Sequence, residues 1–156
     1  MSKHKNYRPN VAAVVLSSDS SEVKFLLAKK KGVRRAWQFP QGGIDGDEKP
    51  QEALLRELKE EIGTDKVEII AEYPEWISYD FPNTKGDKIY PFRGQNQKYF
   101  LVRLKEEAVI DLNFYKTPEF EEYKFVDENE LFKKALFLKR RTYRRVIDYF
   151  KKEGFI

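Results

Sequence analysis

The octapeptide RELKEEIG, Arg56 to Gly63, sets three glutamates, Glu57, Glu60 and Glu61, within five positions of one another. On a helix, side chains three and four residues apart are neighbours, and like charges there repel by a few tenths of a kcal/mol per pair. A divalent cation among the carboxylates removes that penalty. Mg²⁺ takes oxygen ligands and shares them between carboxylates and substrate phosphates. Just upstream, WQFPQGGIDGDE (Trp37–Glu48) supplies aromatic, Pro and Gly residues for a tight loop leading into the helix. Glycines in that loop let backbone come close to a ligand or to an adjacent helix.

Other chemistries find little support. The chain has no cysteine, so disulfides and thiolate metal sites are excluded. Its single histidine, His4, lies in a polar N-terminal stretch and reads as solvated, which leaves no Ser-His-Asp triad or multi-histidine zinc site. Carboxylates (26) and Lys plus Arg (30) are abundant, and the net charge of +4 is too small to identify a polyanionic partner by itself. No apolar run approaches the ~20 residues of a membrane span. The N-terminus, MSKHKNYRPN, is basic but lacks the apolar stretch of a secretory signal. A cytoplasmic location is the expectation.

The elements that must position these acids are legible in outline. At 156 residues and 40% hydrophobic composition, one compact domain spanning 1–156 is expected, with no repeat or linker. VAAVVL (11–16) and VKFLLA (23–28) read as buried strands joined in a hairpin across SSDSSE. VEIIAEY (67–73), KYFLVRL (98–104) and YKFV (123–126) read as further strands. FPNTKGDKIYPFRGQNQ (81–97) reads as a long binding loop. One helix runs from Pro50 to a stop at Gly63. A second, Arg140–Lys152, carries an apolar stripe of Tyr143, Val146, Ile147 and Phe150, with Arg141, Arg144, Arg145 and Lys152 mainly off it. A mixed β-sheet between helices follows, an α/β fold.

At roughly 100° per residue, Leu54, Leu55, Leu58 and Ile62 share an arc that should pack on the sheet. Glu57, Glu60 and Glu61 fall on a second arc nearly opposite, with only Ala53 among them. Arg56 neighbours Glu60 and can serve one carboxylate.

Loop and helix together resemble the Nudix hydrolases. The signature of that family is Gly, five residues, Glu, seven residues, Arg-Glu, an aliphatic, any residue, Glu-Glu, any residue, Gly, aliphatic. Gly42, Glu48, Arg56, Glu57, Leu58, Glu60, Glu61 and Gly63 fall in register, and only Thr64 departs at the last position. The resemblance implies an α/β/α sandwich that hydrolyses a nucleoside diphosphate linked to another group, with two or more Mg²⁺ or Mn²⁺ ions. It implies that Glu57, Glu60 and Glu61 bind the metals, joined by the Gly42 carbonyl, and that Arg56 and Glu48 hold helix and loop together by a salt bridge. The general base is left open between Glu57 and Glu61.

Further segments, YRPNV, WQFPQGG, GQNQKYF, TPEF and KRRTYRRV, are similar to the bacterial branch of RNA pyrophosphohydrolases and dinucleoside polyphosphate hydrolases. By that likeness Glu119 adds a distal metal ligand. Arg8, Lys30, Gln41, Gln95, Leu138 and Lys139 contact substrate. Tyr79 and Phe137 are candidates for stacking on splayed bases. Lys29, Lys31, Arg34 and Arg35 could complete a basic mouth for phosphates. The expected activity is conversion of 5′-triphosphate RNA ends to monophosphate, along with cleavage of diadenosine polyphosphates. The alternatives are a dedicated diadenosine tetraphosphate hydrolase and a non-catalytic nucleotide or RNA sensor. Such sensors usually lose box carboxylates, and all are retained here. No stable protein partner is expected.

Overall fold

The computed structural model describes residues 6–81 and 92–156. His4 and most of the 81–97 stretch lie outside those residues. The chain runs through β1 (Tyr7–Leu16), β2 (Phe25–Lys30), β3 (Trp37–Gln38), β4 (Gln41–Gly43), α1 (Pro50–Ile62), β5 (Val67–Glu72) and β6 (Ile77–Asp80). It continues through β7 (Gly94–Leu104), β8 (Phe120–Val126), α2 (Glu128–Lys134) and α3 (Phe137–Lys152).

The centre of the mixed sheet is the parallel pair β1–β7, ten residues long from Tyr7↔Gly94 to Leu16↔Arg103. Antiparallel neighbours extend it in the order β3-β2-β1-β7-β5, with β4, β6 and β8 pairing β1, β7 and β2. The continuous apolar run of β1 follows from burial on both faces. Val11, Ala13 and Val15 pack with Leu54, Leu58 and Ile62 of α1. Ala12, Val14 and Leu16 pack with Tyr143, Val146, Ile147 and Phe150 of α3. The sheet is thus covered by a helix on each face, an α/β/α sandwich.

The α1 boundaries are where the sequence places them. Pro50 sits in the first turn, the Lys49 N–H donates to Glu52 Oε1 at 2.9 Å, and Gly63 closes the helix at φ 78°. A Cβ on Gly63 would meet the Asp111 carbonyl at 2.5 Å, so glycine is needed for space as well as for the left-handed turn. Thr64, which stands in the aliphatic position, is buried, and its Oγ1 accepts from the Lys66 N–H at 3.0 Å.

Several expectations are corrected. Gly94–Gln97 is strand, paired with β1 on one side and with Ile77–Asp80 on the other, so the binding-loop reading fails there. Its polar sequence hid a strand held by pairing on both edges. β1 begins at Tyr7, four residues earlier than expected, because Tyr7 to Asn10 pair with Gly94–Gln97 of β7. β2 starts at Phe25, leaving Val23 exposed before it. Leu55 is only partly buried, whereas Ala53 on the acidic arc is fully buried, so α1 is covered over more than the leucine stripe.

Candidate functional site

Arg56 is the fixed point around which the acids are arranged. Its Nε and Nη2 donate to the two Glu48 oxygens at 2.7 and 2.9 Å, a bidentate pair. Nη2 also donates to the Gly43 carbonyl at 2.8 Å, while Nη1 reaches Glu57 Oε1 at 2.9 Å and Glu60 Oε2 at 3.2 Å. The Asp45 N–H donates to Glu48 Oε1 at 2.9 Å, tying the loop to the same pair. Hydrogen bonds from Arg56, then from the Asp45 amide, hold Glu48 down at about pKa 2. One guanidinium therefore fastens the Gly-rich loop to α1 and still faces two more acids.

Those further acids are not on a solvated face. Glu61 is 4% exposed, and its Oε1 accepts from the Gln41 N–H at 3.1 Å. Burial, contact with Glu119 and repulsion from Glu57 push its pKa well up. Burial raises Glu57 to about 7 despite Arg56. A Cβ at Gly42 would overlap the Glu57 carboxyl carbon, so the carboxylate rests on bare backbone and would have to shift to make room for any side chain there. Glu57, Glu60, Glu61 and Glu119 line one cleft of about 390 Å³ with Tyr115 and Thr117.

The donor set is all oxygen, and two of its acids are held where ionisation is unfavourable without a cation. That fits a hard divalent ion. Among the described residues no three such side chains are gathered closely enough to hold an ion as they stand. Gly42, Glu57, Glu60, Glu61 and Glu119 are the residues that could hold it.

Beside the acids lies a part-buried polar cluster. Gln41 Oε1 accepts from Gln97 Nε2 at 2.9 Å and from Lys139 Nζ at 3.0 Å, and Gln41 Nε2 is 3.4 Å from Gln95 Oε1. The Tyr79 hydroxyl donates to Gln95 Oε1, and Lys139 Nζ sits 4.1 Å over the Tyr79 ring. Burial lowers Lys139 to about 8. Gln41, Tyr79, Gln95 and Lys139 are thus brought together. Arg8 lies along the loop next to them, its guanidinium filling the space a Gly43 side chain would take. Lys30 ends β2 opposite Phe120, one residue from Glu119.

Other candidates are not gathered. Phe137 and Leu138 project into solvent at 79% and 78% exposure, with the Arg140 guanidinium 5.7 Å from the Phe137 ring. Lys29 is paired with Glu121 at 2.6 Å, and Arg144 and Arg145 with Glu128 and Glu75 at 2.8 Å each. Asn10 and Gln97 went unrecognised: Gln97 Nε2 donates to Asn10 Oδ1 at 2.8 Å, and both side chains are buried. Alternating glutamines in GQNQ were the available signal. Tyr115 and Thr117 carried none.

The NUDIX domain model matches residues 6–150. An RNA pyrophosphohydrolase of a Sulfurovum species is 60% identical over the whole of both chains. Another, from a Nitratiruptor species, is 62% identical over 97% of each. Among solved structures, the C. elegans Ap4A hydrolase binary complex superposes with a TM-score of 0.70 at 21% identity, covering 94% of this chain and 98% of that one, a likeness of fold. With its box residues in register around one acidic cleft, the chain belongs to the NUDIX domain family.

Proposed function

We propose that this chain is a metal-dependent hydrolase that removes pyrophosphate from 5′-triphosphate RNA ends, leaving a monophosphate, and that it also splits diadenosine polyphosphates. The observation that carries this reading is the cleft of four carboxylates beside a cationic, aromatic cluster, in a chain 60% identical to an RNA pyrophosphohydrolase throughout. Residues 1–156 act as one domain, in the cytoplasm. Among the described residues no helix is long and apolar enough to cross a membrane.

Glu57, Glu60 and Glu61, with the Gly42 carbonyl and Glu119, would hold Mg²⁺ or Mn²⁺, as two or more ions. When bound, the metal offsets phosphate charge and lowers the pKa of the attacking water. Glu57 or Glu61 takes the proton from that water as its oxygen bonds to phosphorus and the anhydride P–O bond breaks, releasing pyrophosphate. Arg56 and Glu48 keep the loop and helix in register, so that Gly42 and the three box acids face one point. Arg8, Lys30 and Lys139 supply positive charge to the phosphates. Gln41 and Gln95 orient the 5′ nucleotide, and Tyr79, with exposed Phe137 and Leu138, borders its bases.

The test is incubation with Mg²⁺ and γ-labelled triphosphorylated RNA, then with diadenosine tetraphosphate, with separation of products. Labelled pyrophosphate or phosphate is expected from RNA, with turnover almost abolished in Glu57→Gln and Glu61→Gln while both variants remain folded. Unchanged rates in those variants would remove the metal assignment.

A further inference from the structure

We propose that Tyr115 is the stacking surface for a distal second nucleoside, which makes it the residue that favours dinucleoside polyphosphates over single-ended ones. This rests on the reading of the cleft as a polyphosphate site. Tyr115 lines the cleft with Glu57, Glu60, Glu61 and Glu119, and is 46% exposed. Among the described residues it has no hydrogen-bond, ring or cation partner, so no internal contact accounts for an aromatic on that lip.

The segment carrying it is anchored to the helix that bears the acids. The Asp111 N–H donates to the Ile62 carbonyl at 2.8 Å, and Phe114 N–H to the Asp111 carbonyl at 3.2 Å. Lys59 Nζ, on α1, lies 5.1 Å over the Phe114 ring. The backbone leading into the next residue, Tyr115, is therefore tied to α1, which carries three of the carboxylates of the cleft.

Glu61 joins two groups of residues. The Gln41 N–H donates to it, and Gln41 is linked in turn to Gln95 and Lys139, with the Tyr79 hydroxyl on Gln95. Glu119 also contacts Glu61 and shares the cleft with Thr117 and Tyr115. A phosphate chain on these acids thus has two separate aromatic residues near it, Tyr79 in the Gln41 cluster and Tyr115 on the cleft wall. The triphosphate of an RNA ends in a γ-phosphate and brings no second base for Tyr115. A dinucleoside polyphosphate brings a second base, and any base can stack because each has a π face.

The experiment compares wild type, Tyr115→Ala and Tyr115→Phe, with Mg²⁺, on diadenosine tetraphosphate, adenosine 5′-tetraphosphate and triphosphorylated RNA. The first two share a phosphate chain and differ in the second nucleoside. In Tyr115→Ala, KM for diadenosine tetraphosphate should rise about ten-fold, the loss of one stacked base. Its kcat should change little, because stacking far from the reacting phosphorus binds ground and transition states alike. KM for the other two substrates should stay the same, and Tyr115→Phe should restore wild-type behaviour. An equal rise on all three substrates, or no rise on any, overturns the proposal. So does a wild type that hydrolyses RNA but not diadenosine tetraphosphate, an outcome that leaves the RNA activity standing. A wild type inactive on all three removes the hydrolase reading and this inference together.

Discussion

Replacing Glu57 with glutamine should stabilise the metal-free protein while abolishing its hydrolysis. Burial raises the Glu57 pKa from 4.5 to about 7, with Arg56 opposing and Glu60 and Glu119 adding to the rise. The side chain is only 15% exposed, so solvent screening discounts this little. A shift of that size corresponds to about 3 kcal/mol at 1.36 kcal/mol per unit. The sign follows from proton binding. Between pH 4.5 and 7 the folded state holds the Glu57 proton more tightly than the unfolded chain does, so stability present below pH 4.5 is lost as pH rises to 7. Glutamine keeps a carbonyl for Arg56 Nη1 and never ionises. In chelator, Glu57→Gln and wild type should therefore melt together near pH 4.5. By pH 8 the variant should melt higher by roughly 6–12 °C, taking 2–4 °C per kcal/mol for a chain of this size. Adding Mg²⁺ should raise the wild type more than the variant, closing the gap. The assay is thermal unfolding followed by circular dichroism from pH 4.5 to 8, with and without Mg²⁺. Equal melting temperatures at every pH in chelator would refute the claim that Glu57 is held in an environment hostile to its charge.

Other expectations follow from single contacts. Arg56→Lys loses the bidentate fork on Glu48 and the bond to Gly43, so Mg²⁺ affinity or turnover should fall about 10–100-fold, as measured by metal titration and kinetics. Gly63→Ala should destabilise by more than the ~1–2 kcal/mol of a left-handed non-glycine residue, because its methyl meets the Asp111 carbonyl; urea unfolding reads this. Gln97→Leu strands Asn10 Oδ1 and the Tyr99 hydroxyl, and should cost about 1–3 kcal/mol in the same assay. Lys139, lowered to about 8 by burial, has the opposite sign to Glu57. Its contribution to stability is present above its unfolded pKa of 10.5 and lost as pH falls through 8, so Lys139→Met should melt higher than wild type at pH 7 and not at pH 10.5.

How much of this was readable in the chain depended on whether the signal was local. The 50–63 helix, its glycine stop and the stripe Tyr143–Val146–Ile147–Phe150 were legible because propensity, capping and periodicity act within a few residues. Short strands such as Trp37–Gln38 and Gln41–Gly43 were not, since partners far away in sequence make them strands. The helix Glu128–Lys134 was missed too. It holds a single buried residue, Leu131, and its cap is an Asp127 side chain that accepts from the Glu130 N–H.

For the site, spacing alone brought Glu57, Glu60 and Glu61 together and set Arg56 within reach of Glu60, because helical geometry dictates which side chains are neighbours. Spacing could not reveal that Glu61 is buried, that Glu57 lies on Gly42, or that Glu119 closes the cleft from far along the chain. Nor could it show that Gln97 and Asn10 brace Gln41. The local code determined which acids would be crowded. The packing of α1 against the sheet and loop decided how far they are removed from water, and desolvation, which depends on everything around a charge, is a property of the folded chain alone.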